Sequence, residues 1–314
     1  MSQRIGVVGS SMTDLVTYID RMPEAGETLA APSFAIGHGG KGANQAVAAA
    51  RLGADVMLVA RVGDDVFGTD TLAHLSATGI DTRHVRAVPG TMSGVAPIFV
   101  EPSGENRILI IHGANDRLLP ADIDAAATDL RGCGLILLQL EVPRETVYHT
   151  LAWAAREGIE VILNPAPAAP DLEIDRVLDA TFLIPNQTEL ALLTGMPATS
   201  RAEAESAARS LVARGLAAVI VTLGSDGALL VRDGPSQHVP AVPVEPRDTT
   251  GAGDAFVGAF AQHYAAHRDV VAAMRWGAAY AADSITRPGT QASFAGAKEF
   301  AAFRNARGGP GSTN

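Results

Sequence analysis

The sequence predicts an α/β protein whose mainly parallel central sheet is covered by helices on both faces, with a small second β-sheet beside it. Two observations carry this prediction. Short, continuously apolar segments alternate with alanine-rich helical segments through most of the 314 residues, a pattern typical of buried parallel strands joined by helices. Residues 28–36 and 93–111 have strand patterns with no helix between their segments, which indicates hairpins outside the central sheet.

The individual elements follow from apolar runs and from helical periodicity. Strands are predicted at residues 5–8, 56–60, 135–140, 161–164, 182–185, 219–223 and 228–231. Helices are predicted at residues 43–52, 67–78, 144–156, 187–193, 202–214, 252–266 and 270–285. Polar motifs follow several of these strands, at residues 9–14, 139–141, 164–167, 185–186 and 222–224. Because ligands bind beyond the carboxyl ends of parallel strands, we expect a binding site there.

Composition predicts one large domain. Hydrophobic residues make up 47% of the chain and charged residues 18%, so a large core can be buried and global disorder is excluded. We expect residues 1–306 to form a single domain, with lid strands from about residues 15–37 and 90–112 that cover the site. Residues 307–314 are rich in glycine and are expected to form a disordered tail.

Charge and targeting signals restrict the partners. The formal net charge of −10 argues against nucleic acid and membrane surfaces, which are themselves anionic. The first residues run directly into a strand pattern without an export signal, and no apolar segment is long enough to span a bilayer. The single cysteine, Cys133, cannot form an internal disulfide. These features predict a cytoplasmic protein that acts on small molecules.

A glycine-rich run that ends in a carboxylate, Asp248-Thr-Thr-Gly-Ala-Gly-Asp254, precedes a predicted apolar helix. The backbone N–H groups of such a turn and the positive end of the helix dipole stabilise anions, including a phosphoryl group during its transfer. Asp254 then has two interpretations. It is either a base that accepts the proton of an attacking hydroxyl, or a first-turn acidic residue that complements the helix dipole.

A second glycine cluster, Gly39-Gly-Lys-Gly-Ala-Asn-Gln45, also leads into a predicted helix. It lacks the Gly-x-x-x-x-Gly-Lys-Ser/Thr pattern of a Walker A loop, and residues 6–9 lack the dinucleotide fingerprint Gly-x-Gly-x-x-Gly. Its backbone amides, with Lys41 and Asn44, offer donors that suit a polyhydroxylated ligand. The start of an ordinary helix is the alternative interpretation.

Taken together, the two runs resemble, in order and separation, the two signatures of the PfkB family of carbohydrate kinases. Further motifs are similar to those of its ribokinase group: Gly-Ser-x-x-x-Asp at 9–14, Gln-Leu-Glu at 139–141, Asn-Pro-Ala-Pro at 164–167 and Gly-Thr-Gln at 289–291. The stretches at residues 94–100, 138–142 and 193–197 also resemble 2-deoxyribokinases. The resemblance covers residues 5 to about 303. It implies a ribokinase-like three-layer sandwich with a lid, and ATP-dependent phosphorylation of the 5-hydroxyl of D-ribose or, alternatively, of 2-deoxy-D-ribose.

The resemblance also implies a sugar site between the loop after the first strand, the double-glycine loop and the lid. Asp14 is expected to bind two ring hydroxyls, and Asp254 to take the proton from O5. The other residues implied for the sugar site are Met12, Gly40, Lys41, Gly42, Ala43, Asn44 and Glu141. The amides expected to hold the γ-phosphate are those of Gly251, Ala252 and Gly253.

ATP, Mg²⁺ and K⁺ are implied in the same way. The positions that match the ATP site of the family are Asn186, Thr222, Leu223, Gly224, Ser225, Asp226, Gly227 and Gly253. Glu189 completes an Asn-x-x-Glu pattern associated with Mg²⁺ and its waters. The implied K⁺ ligands, mostly backbone carbonyls, belong to Asp248, Thr250, Ser284, Arg287, Gly289 and Ser293. Because the lid strands of this family often form a homodimer interface, a homodimer is expected.

Two positions depart from the common pattern of the group. Met12 replaces an Asn that touches the sugar in many ribokinases; this loss matters less to a sugar without a 2-hydroxyl, so 2-deoxy-D-ribose is expected to be accepted. His38 replaces a common aromatic residue and either touches the sugar or is solvated.

Kinases for a nucleoside, fructose or a keto-deoxy acid are further alternatives, against which the motif at 39–45 and Glu141 favour a pentose. A catalytically inactive sugar sensor is disfavoured because Asp254 and the glycine-rich anion site are both intact.

Overall fold

The computed structural model describes residues 3–102 and 105–307. Numbered along the chain, the strands are β1 (Arg4–Val8), β2 (Met12–Tyr18), β3 (Ser33–Gly39), β4 (Val56–Gly63), β5 (Asp81–Val88), β6 (Gly94–Val100), β7 (Asn106–Ile108), β8 (Cys133–Leu138), β9 (Glu160–Leu163), β10 (Phe182–Leu183), β11 (Val219–Thr222), β12 (Ala228–Val231) and β13 (Gln237–Val239). The helices are α1 (Lys41–Arg51), α2 (Val66–Ala77), α3 (Pro120–Leu130), α4 (Arg144–Glu157), α5 (Gln187–Thr194), α6 (Arg201–Ala213), α7 (Ala252–His267), α8 (Val270–Ser284) and α9 (Ala297–Ala306).

The larger sheet has the strand order β13-β12-β11-β10-β9-β8-β1-β4-β5. Its strands are parallel except at one edge, where β12 runs antiparallel to both β11 and β13. In the middle of the sheet, Val7 of β1 pairs with Leu58 of β4 and with Leu137 of β8. Strands in this position are covered on both faces, which explains their continuous apolar sequences.

Helices pack on both faces of this sheet. On one face, Ile5 belongs to a core that includes Phe260 of α7 and Tyr280 of α8. On the other face, Ile136 belongs to a second core, which includes Leu151 of α4. Two separate cores around one sheet confirm the predicted three-layer α/β architecture.

The second sheet has the order β3-β2-β6-β7 and corresponds to the predicted lid. β2 pairs antiparallel with β3 and parallel with β6. The lid is tied to the central layers because β1 is followed by β2 after three residues and β3 leads directly into α1. The positions of the lid and of the first helix are therefore linked by short connections.

Some boundaries differ from the expectations. Residues 28–32 lie outside the lid strands, and β3 begins only after Pro32, which has no backbone N–H to donate to a strand ladder. The motif at residues 9–14 is a loop only up to Ser11, because β2 begins at Met12. Asp14 is consequently a lid-strand residue.

The elements α3, α9, β5 and β13 were not predicted. β5 lies at the edge of the larger sheet and carries polar residues such as Arg83 and Arg86. Charged residues are common in edge strands, and they interrupt the apolar run by which a strand is predicted. α3 carries a start signal that was missed: Pro120 is its first residue, and the Asp122 carboxylate accepts a hydrogen bond from the Leu119 N–H group.

Within the described residues, no helix has both the length and the apolar character needed to cross a membrane. The predicted disordered tail was placed at residues 307–314; residues 308–314 of it lie outside the described part of the chain.

Candidate active site

A cleft of about 180 Å³ lies beyond the carboxyl ends of the central strands. The motifs after β9 and β11 meet there with the first residues of α1, α5 and α7, as expected for a parallel sheet. The residues that line the cleft are Lys41, Asn164, Ala166, Ile184, Asn186, Glu189, Thr222, Thr249, Gly251, Ala252, Gly253, Asp254 and Val257.

The N-terminus of α7 opens into this cleft. Gly251 is the N-cap with φ 76°, a left-handed conformation that glycine adopts without steric cost. Outside the neighbouring residues and backbone of α7, no atom lies within 4 Å of where a side chain of Gly253 would begin, so the backbone there is accessible from the cleft. Free N–H groups at an open helix N-terminus form a site for an anion such as phosphate.

Asp254 follows in the first turn of α7 and is only 5% exposed. Its two carboxylate oxygens accept hydrogen bonds from two side chains of α1. The Asn44 Nδ2 group donates to Oδ2 over 2.8 Å, and the Gln45 Nε2 group donates to Oδ1 over 3.0 Å. The carboxylate is therefore oriented by another helix, and its remaining lone pairs can accept a proton from a hydroxyl in the cleft.

Close packing of α1 on α7 makes these contacts possible. Gly258 lies where the two helices cross, and a Cβ atom at that position would be 2.6 Å from both the Ala48 Cβ atom and the Gln45 carbonyl oxygen. A larger residue would separate the helices. Side chains of α1 would then no longer reach Asp254.

Gln45 is in turn held by hydrogen bonds to other side-chain amides. The Gln139 Nε2 group donates to Gln45 Oε1 over 2.7 Å, and the Gln45 Nε2 group also donates to Asn164 Oδ1 over 3.1 Å. The Asn164 Nδ2 group in turn donates to the Ile184 carbonyl over 2.8 Å. Gln45, Gln139 and Asn164 were not predicted as site residues, although each lies in a motif that the sequence made conspicuous.

The start of α1 is held by Glu141. Gly40, the N-cap, provides no side-chain cap, and a Glu141 carboxylate oxygen accepts the Lys41 backbone N–H over 2.8 Å. The same oxygen accepts the Ser10 hydroxyl over 2.5 Å, while the Ala43 N–H group donates to the Ser10 carbonyl. A carboxylate at a helix N-terminus accepts hydrogen bonds from N–H groups that have no partner within the helix. Its negative charge also interacts favourably with the positive end of the helix dipole. Residues 40–44 thus form the N-cap and first turn of α1, which begins two residues before the predicted start at residue 43.

Lys41 projects its ammonium group toward several acidic side chains. Burial lowers the pKa of this ammonium, but the carboxylates of Asp254, Glu141 and Glu189 outweigh burial and raise the pKa above its ordinary value. The group therefore stays protonated at neutral pH. It supplies a positive charge at the cleft between the two predicted substrate sites.

Met12 and Asp14 lie on the same face of the lid strand β2. Their cross-strand partners are small: Gly39 and Gly94 lie opposite Met12, and Gly37 and Ala96 lie opposite Asp14. A Cβ atom at Gly39 would clash with Asp14 Oδ1 and one at Gly94 would lie 3.2 Å from Met12 Cγ, so the two side chains occupy the space beside these glycines.

Burial raises the pKa of the Asp14 carboxyl group to about 7, helped by the charges of Glu141 and Asp254, while a hydrogen bond with Thr290 lowers it. Asp14 is therefore close to the other acidic residues of the site, although it does not line the cleft itself.

On the opposite side of the cleft, Asn186 and Glu189 form a reciprocal cap at the start of α5. The Asn186 side chain accepts the Glu189 N–H group, and the Glu189 carboxylate accepts the Asn186 N–H groups of backbone and side chain. Burial raises the pKa of Glu189, against the hydrogen bond from the Asn186 backbone. Both residues line the cleft, as predicted.

The predicted loop at residues 222–227 is only partly at the cleft. Thr222 lines it and forms a parallel bridge with Asn186. Leu223 is a buried core residue. Gly224, Ser225 and Asp226 form an exposed 3₁₀ turn that does not line the cleft, and Gly227 closes it.

The predicted cation-site residues also come together, beside the start of α7. The Asp248 carboxylate accepts the Thr250 N–H over 2.9 Å and the Gly289 N–H over 2.8 Å. Burial raises the pKa of Asp248, but these hydrogen bonds lower it below its usual value. The Arg287 guanidinium donates to the Ser293 carbonyl, and the Arg287 N–H donates to the carbonyl of Ser284.

In residues 3–102 and 105–307, no group of three or more His, Cys, Asp or Glu side chains could hold a metal ion. A cation at the described part of the site would therefore depend on carbonyl oxygens, water or a bound substrate for most of its ligands.

Several known proteins are similar to this chain over nearly its whole length. The profile of the pfkB family carbohydrate kinases matches residues 2–295. A deoxyribokinase of Salmonella typhi is 52% identical over 296 residues, which cover 94% of this chain and 97% of that protein. A ribokinase of Bacillus subtilis is 41% identical over 289 residues, with coverages of 92% and 95%. The structure of Arabidopsis thaliana ribokinase complexed with ribose and ATP matches with a TM-score of 0.88 and 30% identity, covering 96% of this chain and 99% of that one.

Proposed function

Because the chain belongs to the pfkB family of carbohydrate kinases, we propose that it transfers the γ-phosphoryl group of ATP to the 5-hydroxyl of D-ribose or 2-deoxy-D-ribose. One observation carries the proposal: Asn44 and Gln45 orient the buried Asp254 carboxylate beside the open N-terminus of α7. A proton acceptor and an anion site then lie side by side, as phosphoryl transfer to a hydroxyl requires. The names of the relatives support a pentose as the acceptor.

In this proposal Asp254 accepts the proton of O5 while O5 bonds to the γ-phosphorus and the bond to the ADP leaving group breaks. The N–H groups of Gly251, Ala252 and Gly253 stabilise the charge that spreads over the equatorial oxygens of the phosphoryl group. The Ala252 N–H group, which donates to the Thr249 carbonyl over 3.2 Å, exchanges that partner for the phosphoryl oxygen. The Lys41 ammonium, which its acidic neighbours keep charged, offsets the negative charge that ATP brings into the cleft.

The sugar binds between the lid face of β2 and the first turn of α1. Asp14 accepts two ring hydroxyls, and Asn44 and the backbone of residues 40–43 complete the site. The N–H groups of Lys41, Gly42 and Ala43 already donate to Glu141 and Ser10, so within the described residues the free N–H group there belongs to Gly40. The lack of a side chain at Gly39, where a Cβ atom would clash with Asp14 Oδ1, supports this placement because it allows the carboxylate to lie beside the residues that lead into α1. Glu141 acts indirectly, since its carboxylate fixes the start of α1.

ATP binds on the side of the cleft formed by Asn186 and Thr222, with the exposed turn at residues 224–227 beside the base. The residues fit Mg²⁺ only through water, because both Glu189 oxygens already accept hydrogen bonds from Asn186 and a hydrated ion demands no protein cage. Bound Mg²⁺ would neutralise charge on the phosphates.

K⁺ is proposed to bind beside the anion site, between the loop at residues 248–250 and the loop at residues 284–293. The Asp248 carboxylate already joins these loops through Thr250 and Gly289, which supports a shared site. The ion would hold the loop before α7 in place. Its ligands would be mostly carbonyl oxygens, because few acidic side chains lie near these loops.

Two observations favour 2-deoxy-D-ribose as a good substrate. Met12 is apolar, 3% exposed and on the same face of β2 as Asp14, so it offers no hydrogen bond to a hydroxyl nearby. The relative that is 52% identical is named deoxyribokinase. A site without a polar partner for the 2-hydroxyl does not reject a sugar that lacks this group.

Initial rates with both sugars, with and without K⁺, test the proposed function and the role of Met12. We expect the parent enzyme to phosphorylate 2-deoxy-D-ribose with a kcat/KM at least equal to that for D-ribose. Met12→Asn should shift the ratio toward D-ribose by about tenfold, because the new amide can hydrogen-bond the 2-hydroxyl.

Met92→Asn is the matched control for this substitution, because Met92 is 71% exposed and should leave the ratio unchanged. An unchanged ratio in Met12→Asn would remove Met12 from sugar selection. Absence of turnover with either sugar would contradict the pentose kinase itself.

We further propose a homodimer formed through the outer face of the lid, the face opposite to Met12 and Asp14. Phe34 and Ile36 on β3 point to that side and are 56% and 59% exposed. A contiguous apolar surface of this kind usually marks an interface. A second copy of this chain is a suitable partner for the apolar surface, because a two-fold axis places the same face of each copy against the other.

The substitution Ile36→Lys should yield a monomer, because a buried lysine at the centre of an apolar interface would have no partner. Light scattering after size-exclusion chromatography at micromolar concentration measures the mass. Leu192→Lys on α5, where Leu192 is 46% exposed, is the control and should remain dimeric. A parent protein that is monomeric at this concentration would contradict the proposed interface.

The reaction is proposed to take place in the cytoplasm, where ATP and K⁺ are abundant. The buried thiol of Cys133 is consistent with a reducing compartment. Neither a nucleic acid nor a membrane surface is expected as a partner, given the net charge of −10.

A further inference from the structure

A line of hydrogen-bonded side chains leads from α2 to the carboxylate of Asp254. The His74 Nε2 atom lies 2.8 Å from Gln291 Oε1. The Gln291 Nε2 group donates to Asn44 Oδ1 over 2.9 Å, and the Asn44 Nδ2 group donates to Asp254 Oδ2 over 2.8 Å. Gln291 is 2% exposed and Asn44 5% exposed, so water does not replace these partners freely.

The orientation of every member of this line follows from the carboxylate at its end. An ionised Asp254 can only accept, so Asn44 must present its NH₂ group to it and its carbonyl to Gln291. Gln291 must then present its NH₂ group to Asn44 and its carbonyl to His74. The Nε2 atom of His74 must consequently carry a hydrogen, which fixes the tautomer of its neutral ring.

We propose that Gln291 and His74 are positioning residues for the base Asp254; this inference rests on the proposed kinase function. Without a donor from Gln291, the Asn44 amide can rotate by half a turn and place its carbonyl against the Asp254 carboxylate. Two acceptors in contact repel each other, so the carboxylate would move or lose one of its two donors. The base would then be misaligned with the attacking hydroxyl.

Two further contacts hold the line in place. The Arg51 guanidinium donates to the Gln291 carbonyl over 2.6 Å and to the Phe294 carbonyl over 2.5 Å, which fixes the 3₁₀ turn that carries Gln291. The His38 ring stacks on the His74 ring at 3.8 Å between centroids. Because His38 belongs to β3, the lid strand contacts the outer end of the line.

The substitution Gln291→Glu tests the donor with almost no change in shape. The new carboxylate still accepts from His74 but cannot donate to Asn44, so kcat should fall about tenfold or more while the KM for ATP stays unchanged. Gln237→Glu, on the exposed start of β13, is the matched control. A kcat within about twofold of the parent enzyme would overturn the role of Gln291.

Substitutions at His74 separate the hydrogen bond from the packing of the ring. His74→Phe keeps a ring against His38 but has no donor, whereas His74→Gln keeps a donor without the ring. We expect kcat to fall about three- to tenfold in His74→Phe and to be restored in His74→Gln. Equal losses in both variants would mean that His74 acts only by packing and would overturn its positioning role.

The tautomer of His74 can be measured independently of any kinase activity. The imidazole ¹⁵N chemical shifts of His74, assigned by comparison with His74→Phe, should show hydrogen on Nε2 in the neutral ring. Hydrogen on Nδ1 alone would overturn the orientation of the whole line. Absence of turnover of either sugar by the parent enzyme would instead contradict the proposed function, whatever the tautomer of His74.

Discussion

Replacing Asp254 by Asn is expected to lower kcat by about 10²–10⁴-fold and to leave the KM for the sugar close to that of the parent enzyme. The amide cannot accept the proton of the attacking hydroxyl, whereas the phosphate-binding N–H groups of α7 are untouched. The substitution also sets an NH₂ group against the donors of Asn44 or Gln45, both of which now donate to the carboxylate. One buried donor loses its acceptor, which costs about 1–3 kcal/mol in the free energy of unfolding.

Steady-state kinetics and thermal melting together measure this result. Glu299→Gln is the control, because Glu299 is also a first-turn acidic residue, whose carboxylate accepts the Gly296 N–H at the start of α9. It should lower stability without changing kcat. If Asp254→Asn behaves in the same way, Asp254 merely complements a helix dipole, and its assignment as the base is wrong.

Inner strands such as β1 and β9 were predictable because burial on both faces leaves charged residues only at their first positions, Arg4 and Glu160. β1, β8 and β9 therefore read as continuous apolar runs, and their observed bounds lie within two residues of the predicted ones. The edge strand β5 and the lid strand β2 lack this signal. β5 exposes charged side chains at an edge, and β2 carries Thr13 and Asp14 between apolar residues.

The candidate site was predictable as a set of motifs but not as a set of contacts. Asn44 and Asp254 are 210 residues apart in the chain, and they meet only because Gly258 allows α1 and α7 to pack closely. No local pattern reports such a crossing. Gln45 was missed for a similar reason: consecutive helical residues point about 100° apart, yet here both Asn44 and Gln45 reach Asp254, one at each oxygen.

The gathering of three carboxylates at the proposed sugar site has a consequence for pH dependence. Burial, then the charges of Glu141 and Asp254, raise the pKa of Asp14 to about 7, so the empty enzyme holds Asp14 partly protonated at neutral pH. A protonated Asp14 has lost part of its capacity to accept hydroxyl groups. Sugar binding and protonation therefore compete for the same side chain.

The kcat/KM for the sugar should accordingly fall about tenfold per pH unit below pH 7 and level off above it, since kcat/KM reports the pKa of the free enzyme. In Asp14→Asn this step should disappear, and kcat/KM should be about 10²–10³-fold lower throughout, because two charge-assisted hydrogen bonds are lost. Asp20→Asn, just after β2 in the sequence, should keep the profile of the parent enzyme. If the step persists in Asp14→Asn, another group titrates, and sugar binding does not depend on the ionisation of Asp14.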